Sequence, residues 1–369
     1  MASNGKVNLK GETKAAALVA RFGKGGFTYA GDSRADLPVW AVAGSAIPVT
    51  NDTNLIAAVR NIVAIEKVFR AADNRITASF EALRVYQWVK NILVFVPILT
   101  AGAVTAVGDW VQGASAAIAF SATASGIYLI NDLLDLDADR RHPRKRNRPF
   151  ARGALSPVVG IWMAVLLVTG GAAIAGAIGM LASLTLYAVC SIAYSLFIKS
   201  FPLVDVFLLA LLYTMRIVGG GEATGHRVSL WLLAFSSLFF LSLALIKRVA
   251  ELLEVKNDGA SRRGYFAQDV LILQTMGCCA TFSSAVVLAL FVQSGNAVTN
   301  YASPHLLWGV VPLILFWQCR LWLSTARGWM HDDPIIFAAR DWVSWIIAGL
   351  IVAVQIIART ITLPVWLAG

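Results

Sequence analysis

From Asn131 to Arg152 the chain reads NDLLDLDADRRHPRKRNRPFAR, a set of acidic residues followed at once by a dense basic run. Asn131, Asp135 and Asp139 recur every fourth residue and Asp132 lies three before Asp135, so on a continuing helix they share one face. Carboxylates this close repel one another unless a cation joins them. Oxygen ligands without His or Cys favour Mg²⁺, which keeps several waters and bridges a few carboxylates to substrate phosphates. Asp137 points away from that face and stays outside the set. Carboxylates for a metal beside cations for phosphate are what diphosphate chemistry needs. The bland alternative is a solvated acidic loop balanced by its basic continuation. Against it, the acidic group begins inside an apolar stretch, where ionisable residues are costly and usually functional.

The elements that position this group belong to a membrane protein. The 369 residues are 58% hydrophobic and 14% charged, with a mean hydropathy of +0.69, far too apolar for a soluble domain. After about residue 90 the apolar residues fall into stretches of roughly 18 to 25, enough to span a bilayer as helices. About nine spans are expected, near 90–108, 112–131, 158–176, 177–197, 201–219, 229–247, 270–293, 304–325 and 342–362. The third and fourth are parted only by a turn around Gly176 to Gly179. The fold class is thus an all-α membrane bundle preceded by a small soluble α/β fragment, with residues 1–75 and 76–369 as the two regions.

Basic residues cluster after the second span (Arg140, Arg141, Arg144, Lys145, Arg146, Arg148, Arg152) and after the sixth (Lys247, Arg248, Lys256, Arg262, Arg263). By the positive-inside rule these loops and the N-terminus face the cytoplasm and the C-terminus faces outside. The net charge of +10 therefore describes one membrane face and points to anionic lipid or phosphorylated substrate, not to nucleic acid. Cys190, Cys278, Cys279 and Cys319 lie in apolar runs without CxxC spacing and read as packing residues. No basic-then-apolar leader precedes the first span.

Further polar residues stand out from apolar runs. Lys90 opens the first span and Lys199 closes the fourth; both read equally as snorkelling ends or as groups facing anions. Arg216 lies well inside a span, where an Arg requires a partner or a substrate anion. Glu251 suits a surface pair with Lys247. Tyr194 serves as an interface aromatic or as a hydrogen-bond donor.

The motif NDxxDxxxD at Asn131 to Asp139 with its basic continuation resembles the first Asp-rich motif of the UbiA-type intramembrane prenyltransferase superfamily. LRVYQWVKN (Leu83 to Asn91), YSLFIK (Tyr194 to Lys199) and LLYTMRIVGGG (Leu211 to Gly221) resemble further family segments over roughly residues 82 to 362. The resemblance implies nine transmembrane helices. The second Asp-rich motif, a DxxxD after the sixth helix, is replaced by KRVAELLE from Lys247 to Glu254. That departure resembles the branch making decaprenylphosphoryl phosphoribose, in which a polyprenyl phosphate attacks C1 of phosphoribosyl diphosphate. It implies that Asp132, Asp135 and Asp139 hold Mg²⁺ on the donor, with Asn131 as neutral ligand or orienter. Arg140, Lys145, Arg146 and Arg148 then grip its phosphates, and Lys90, Lys199, Tyr194, Arg216, Lys247, Arg248 and Glu251 complete the site. Asp132, Asp135, Lys90 and Lys199 are the expected catalytic residues, and a bacterial inner membrane the expected location.

In the N-terminal region, Lys14 and GDSRAD from Gly31 to Asp36 resemble the C-terminal part of a haloacid-dehalogenase-type hydrolase, with Asp32 and Asp36 as its metal-loop acids. The nucleophilic DxD does not occur before Lys14, so a remnant without phosphoryl-enzyme chemistry is expected. Three functions stay in play: phosphoribosyl transfer to a polyprenyl phosphate, prenyl transfer from a diphosphate to an aromatic acceptor, and a transporter or scaffold. A second DxxxD would favour the second function. A midplane charge pathway would favour the third.

Overall fold

The structure is a computed structural model describing residues 11–69, 75–143, 145–254, 263–294, 297, 301–330 and 333–362. Arg144, Lys256 and Arg262 lie outside the described residues. The chain divides into two compact units, Met1–Ala78 and Ser79–Gly369.

In the first unit, helix α1 (Glu12–Phe22) leads to strand β1 (Thr28–Gly31), short helix α2 (Leu37–Trp40), strand β2 (Ser45–Pro48) and helix α3 (Thr53–Arg60). The strands pair in parallel, Thr28 opposite Ser45 and Gly31 opposite Pro48. Trp40, Ala46, Leu55 and Val59 form a small buried core. Asp36 lies 3.9 Å from the Lys14 ammonium, accepts the Tyr29 hydroxyl at 2.9 Å and accepts the Asp32 N–H at 3.2 Å. Asp32 itself is exposed.

The second unit is helical. Helix α4 (Arg75–Leu83), which contains the unit boundary, is followed by a 3-10 segment (Val85–Phe95) and helix α5 (Val96–Ala101). This apolar run is bent by 46° at one break, where Arg84 takes a left-handed φ of 52°. Then come α6 (Val107–Leu134), α7 (Leu136–Arg141), α8 (Pro157–Ala177), α9 (Leu181–Leu196), α10 (Val204–Thr224), α11 (Leu230–Leu253), α12 (Val270–Val292), α13 (Val310–Ala326), α14 (Pro334–Arg340) and α15 (Trp342–Thr360). Among the described residues, seven helices are long and apolar enough to cross a membrane, eight if the bent pair is one span. The remaining expected span, α9, is apolar but has only 16 residues.

Small residues set how closely these helices approach, as they must where lipid removes the hydrophobic drive for association. A methyl group added at Gly171 on α8 would lie 2.9 Å from the Ala119 carbonyl oxygen of α6. One added at Gly220 on α10 would lie 2.1 Å from the Val94 carbonyl oxygen. The second approach brings the 3-10 segment, and with it Lys90 and Asn91, against α10. Helix α8 leaves Ile161, Trp162 and Leu166 exposed, as a lipid-facing helix would.

Candidate active site

A cavity of about 270 Å³ opens where α6, α9, α10 and α11 meet the 3-10 segment. The end of α6 supplies Asn131, Asp132 and Asp135 to its wall, and the following loop supplies Lys145 and Arg148. The 3-10 segment gives Lys90, α9 gives Tyr194, and Lys199, Arg216 and Lys247 complete the expected residues found there.

Helix α6 ends at Asp135, which caps both it and α7. The i, i+4 backbone bonds run on across this joint, from the Asp135 N–H to the Asn131 carbonyl at 2.9 Å and from the Asp139 N–H to the Asp135 carbonyl at 2.8 Å, so Asp132 and Asp139 stay close together. Asp132 is nearly fully buried; its Oδ1 accepts Arg84 Nη2 at 2.6 Å and Arg148 Nη1 at 3.0 Å. Asp139 is buried and does not line the cavity. Its Oδ2 accepts the same Arg148 nitrogen at 2.7 Å, and its Oδ1 lies 3.7 Å from Lys145. Arg148 thus ties the two acids together. Arg140 and Arg146 are exposed and line no part of the cavity; Arg140 lies 3.9 Å from Asp137.

Arg248 and Glu251 are also placed away from the cavity. Arg248 is 1% exposed and is held by Asp205 and Glu251. Asp205 in turn accepts the Tyr265 hydroxyl at 2.6 Å, and that hydroxyl accepts the Leu203 N–H at 2.6 Å. A buried arginine held by two carboxylates, outside the cavity lining, braces α10, α11 and the loop after α11.

Deeper in, Arg216 donates to Asn91 Oδ1 at 2.8 Å and to the Tyr187 hydroxyl at 3.0 Å. Asn131 donates to Ser195 Oγ at 2.8 Å, and Arg263 donates to the Tyr194 hydroxyl at 2.6 Å. Lys90 and Lys247 converge on Asp333, at 2.7 and 3.2 Å. Burial opposes ionisation of Asp333, but the Lys90 and Lys247 charges more than offset it and hold its carboxyl well below the usual range. A second, apolar groove of about 350 Å³ is lined by Val89, Leu93, Phe240, Leu243, Ile335 and Trp345 among others.

Sequence reasoning missed Arg84, Tyr213, Arg263 and Asp333. Arg84 stands inside the quoted LRVYQWVKN segment. Asp333 precedes Pro334 at a helix start, which reads only as an N-cap; its partner Lys90 is 243 positions away.

The cavity's donors suit one hard cation. Asn131, Asp132 and Asp135 present oxygen only, both arginine contacts of Asp132 fall on Oδ1, and Mg²⁺ typically takes one or two protein carboxylates with the remainder from water and substrate phosphate. Among the described residues no group of three or more His, Cys, Asp or Glu side chains is arranged as a closed metal cage.

A bundle of apolar helices around a cationic cavity with acids at its mouth defines an intramembrane transferase fold. Residues 93–329 match the UbiA prenyltransferase family, and the chain belongs to that family. It is 36% identical over 268 residues to the nodulation protein NoeC of Azorhizobium caulinodans, covering 71% of this chain and 86% of NoeC. It is 37% identical over 203 residues to the decaprenyl-phosphate phosphoribosyltransferase of Mycobacterium tuberculosis, covering 52% of this chain and 65% of that one. Its fold is similar to that of a UbiA homolog from Archaeoglobus fulgidus bound to GPP and Mg²⁺, with a TM-score of 0.55 at 14% identity over 77% of this chain and all of that one. The protein is therefore a multi-pass membrane transferase of the UbiA superfamily.

Proposed function

We propose that this enzyme transfers a 5-phosphoribosyl group from phosphoribosyl diphosphate to a polyprenyl phosphate of the decaprenyl type. The observation that carries the reading is the charge of the cavity wall: Arg84, Lys90, Lys145, Arg148, Lys199, Arg216, Lys247 and Arg263 surround Asp132 and Asp135. A prenyl diphosphate presents one anionic group. The proposed donor presents a diphosphate and a separate 5-phosphate, and its acceptor a third anion, which calls for cations spread around the cavity. The relatives named decaprenyl-phosphate phosphoribosyltransferase support the same reading.

Departure of diphosphate from the anomeric carbon builds negative charge on the leaving oxygens, so catalysis consists mainly of positioning and charge neutralisation. Asn131, Asp132 and Asp135 would hold Mg²⁺, which supplies charge compensation on the leaving diphosphate. Arg148 and Arg84 orient Asp132, while Lys145 and Lys199 reach the donor phosphates. The acceptor phosphate is already ionised at neutral pH, so the chain needs no general base. The apolar groove receives the acceptor's tail. The product is a lipid-linked phosphoribose, a precursor for arabinosyl transfer to envelope glycans or, given the likeness to NoeC, to nodulation signals.

The test incubates membranes containing the enzyme with labelled phosphoribosyl diphosphate, polyprenyl phosphate and Mg²⁺. Label in the lipid phase, lost on chelation, is expected. Consumption of geranylgeranyl diphosphate with an aromatic acceptor, and no lipid label, would establish prenyl transfer instead.

A further inference from the structure

Asp333 lies in the segment between α13 and α14, yet only 7% of its surface is exposed. Its Oδ2 meets Lys90 at 2.7 Å and Lys247 at 3.2 Å. The Tyr213 hydroxyl donates to the same carboxylate at 2.9 Å, and its Oδ1 accepts the Ile335 N–H at 3.2 Å. Lys90, Lys247 and Tyr213 line the polar cavity; Asp333 does not. Val89 adjoins Lys90, Leu243 lies one turn before Lys247 on α11, Ile335 donates its N–H to Asp333 and Phe240 stacks on Tyr213, and all four line the apolar groove. The cluster therefore stands where the polar cavity gives way to the apolar one. Two ammonium groups sharing one carboxylate oxygen would repel each other and part without it.

Resting on the function proposed above, we propose that Asp333 is a positioning residue for the transfer. It fixes Lys90 and Lys247 as a pair whose free N–H donors face the cavity, so that an acceptor phosphate with its tail in the groove is held in line with the donor's C1. Asp333 touches neither substrate and acts through the two lysines.

Asp333→Asn separates this role from helix capping, because Asn is as good an N-cap as Asp. In the full-length enzyme in detergent, Asp333→Asn should lower kcat at least tenfold while the KM of neither substrate rises, since removing an anion from a cationic wall does not weaken anion binding. In a Lys90→Gln background the same substitution should cost less than threefold more, because the group it positions is gone. Wild-type kinetics would overturn the proposal, as would a loss carried by raised KM for both substrates together with a lowered thermal midpoint, or losses that simply multiply.

Inorganic diphosphate binding, measured by calorimetry, provides an arm that is independent of turnover. It should hold or tighten in Asp333→Asn, and tenfold weakening would count against the positioning role. A wild-type protein that binds diphosphate but makes no phosphoribosyl lipid would sink the functional reading alone and leave this arm to decide the role of Asp333.

Discussion

Asp132 and Asp135 face the cavity, whereas Asp139 lies behind it, against Arg148 and Lys145. Replacing Asp132 or Asp135 with Asn should cut turnover at least about a hundredfold, some 2.7 kcal/mol of transition-state stabilisation, and raise the Mg²⁺ needed for half-maximal rate. Asp139→Asn should lower turnover with less effect on that Mg²⁺ requirement, and Asp137→Asn should do little. Equal Mg²⁺ dependence in all four variants would remove the assignment. Lys247 and Arg248 are adjacent in sequence but differ in role. Lys247→Ala should leave folding intact and impair catalysis. Arg248→Ala strands Asp205 in the interior, a loss of roughly 3 to 5 kcal/mol, and should appear as poor yield and a lowered thermal midpoint. Sequence spacing could not tell them apart, because alternation along α11 says which residues diverge but not which one meets Asp205.

At the scale of elements, the spans were legible because apolar length is a strong signal. The acidic motif was legible by type and spacing, since Asp132 and Asp139 do come together on one arginine nitrogen, but not by which acids line the cavity, because the returning loop that carries Arg148 and Lys145 covers Asp139. The break at Arg84 and the reach of Asp333 depend on tertiary contact, which no local pattern encodes. The GGG run at Gly219 to Gly221 was visible as a motif, yet its cause appears only in the packing. Gly219 faces Phe120, Gly220 the Val94 backbone and Gly221 the His226 carbonyl. Gly220→Ala forces a methyl onto backbone that cannot rotate away, at about 1 to 3 kcal/mol or more. It should also displace the segment carrying Lys90, lowering both thermal midpoint and turnover. Gly170→Ala, where a methyl meets open space, is the matched control and should leave both unchanged.

For the whole molecule, the positive-inside rule predicts that the loop carrying Lys145 and Arg148 and the one carrying Arg263 open to the cytoplasm. Single cysteines introduced at Arg146 and near Arg263 should be labelled by membrane-impermeant thiol reagents only after the cytoplasmic face is exposed. One introduced at Gly179, in the turn between α8 and α9, should react from outside. The reverse pattern would invert the topology on which the donor's access depends. Among the described residues, none that lines the cavity comes from the N-terminal unit. Deleting residues 1 to about 70 should leave membrane-bound turnover within about threefold of the full chain.

The imbalance of charge around the cavity acts at a distance as well as at contact. Its attraction extends about 10 Å at 0.1 M salt, so a polyanion in the surrounding water is drawn in before any specific hydrogen bond forms. Encounter should therefore slow as ionic strength rises while the bound complex turns over at an unaltered rate: kcat/KM falls and kcat does not. The same field makes no distinction between one sugar phosphate and another. Any polyanion of similar charge is drawn toward the cavity as well. Selection then falls to contacts made after capture, among them those of Asp132 and Asp135 on the cavity wall.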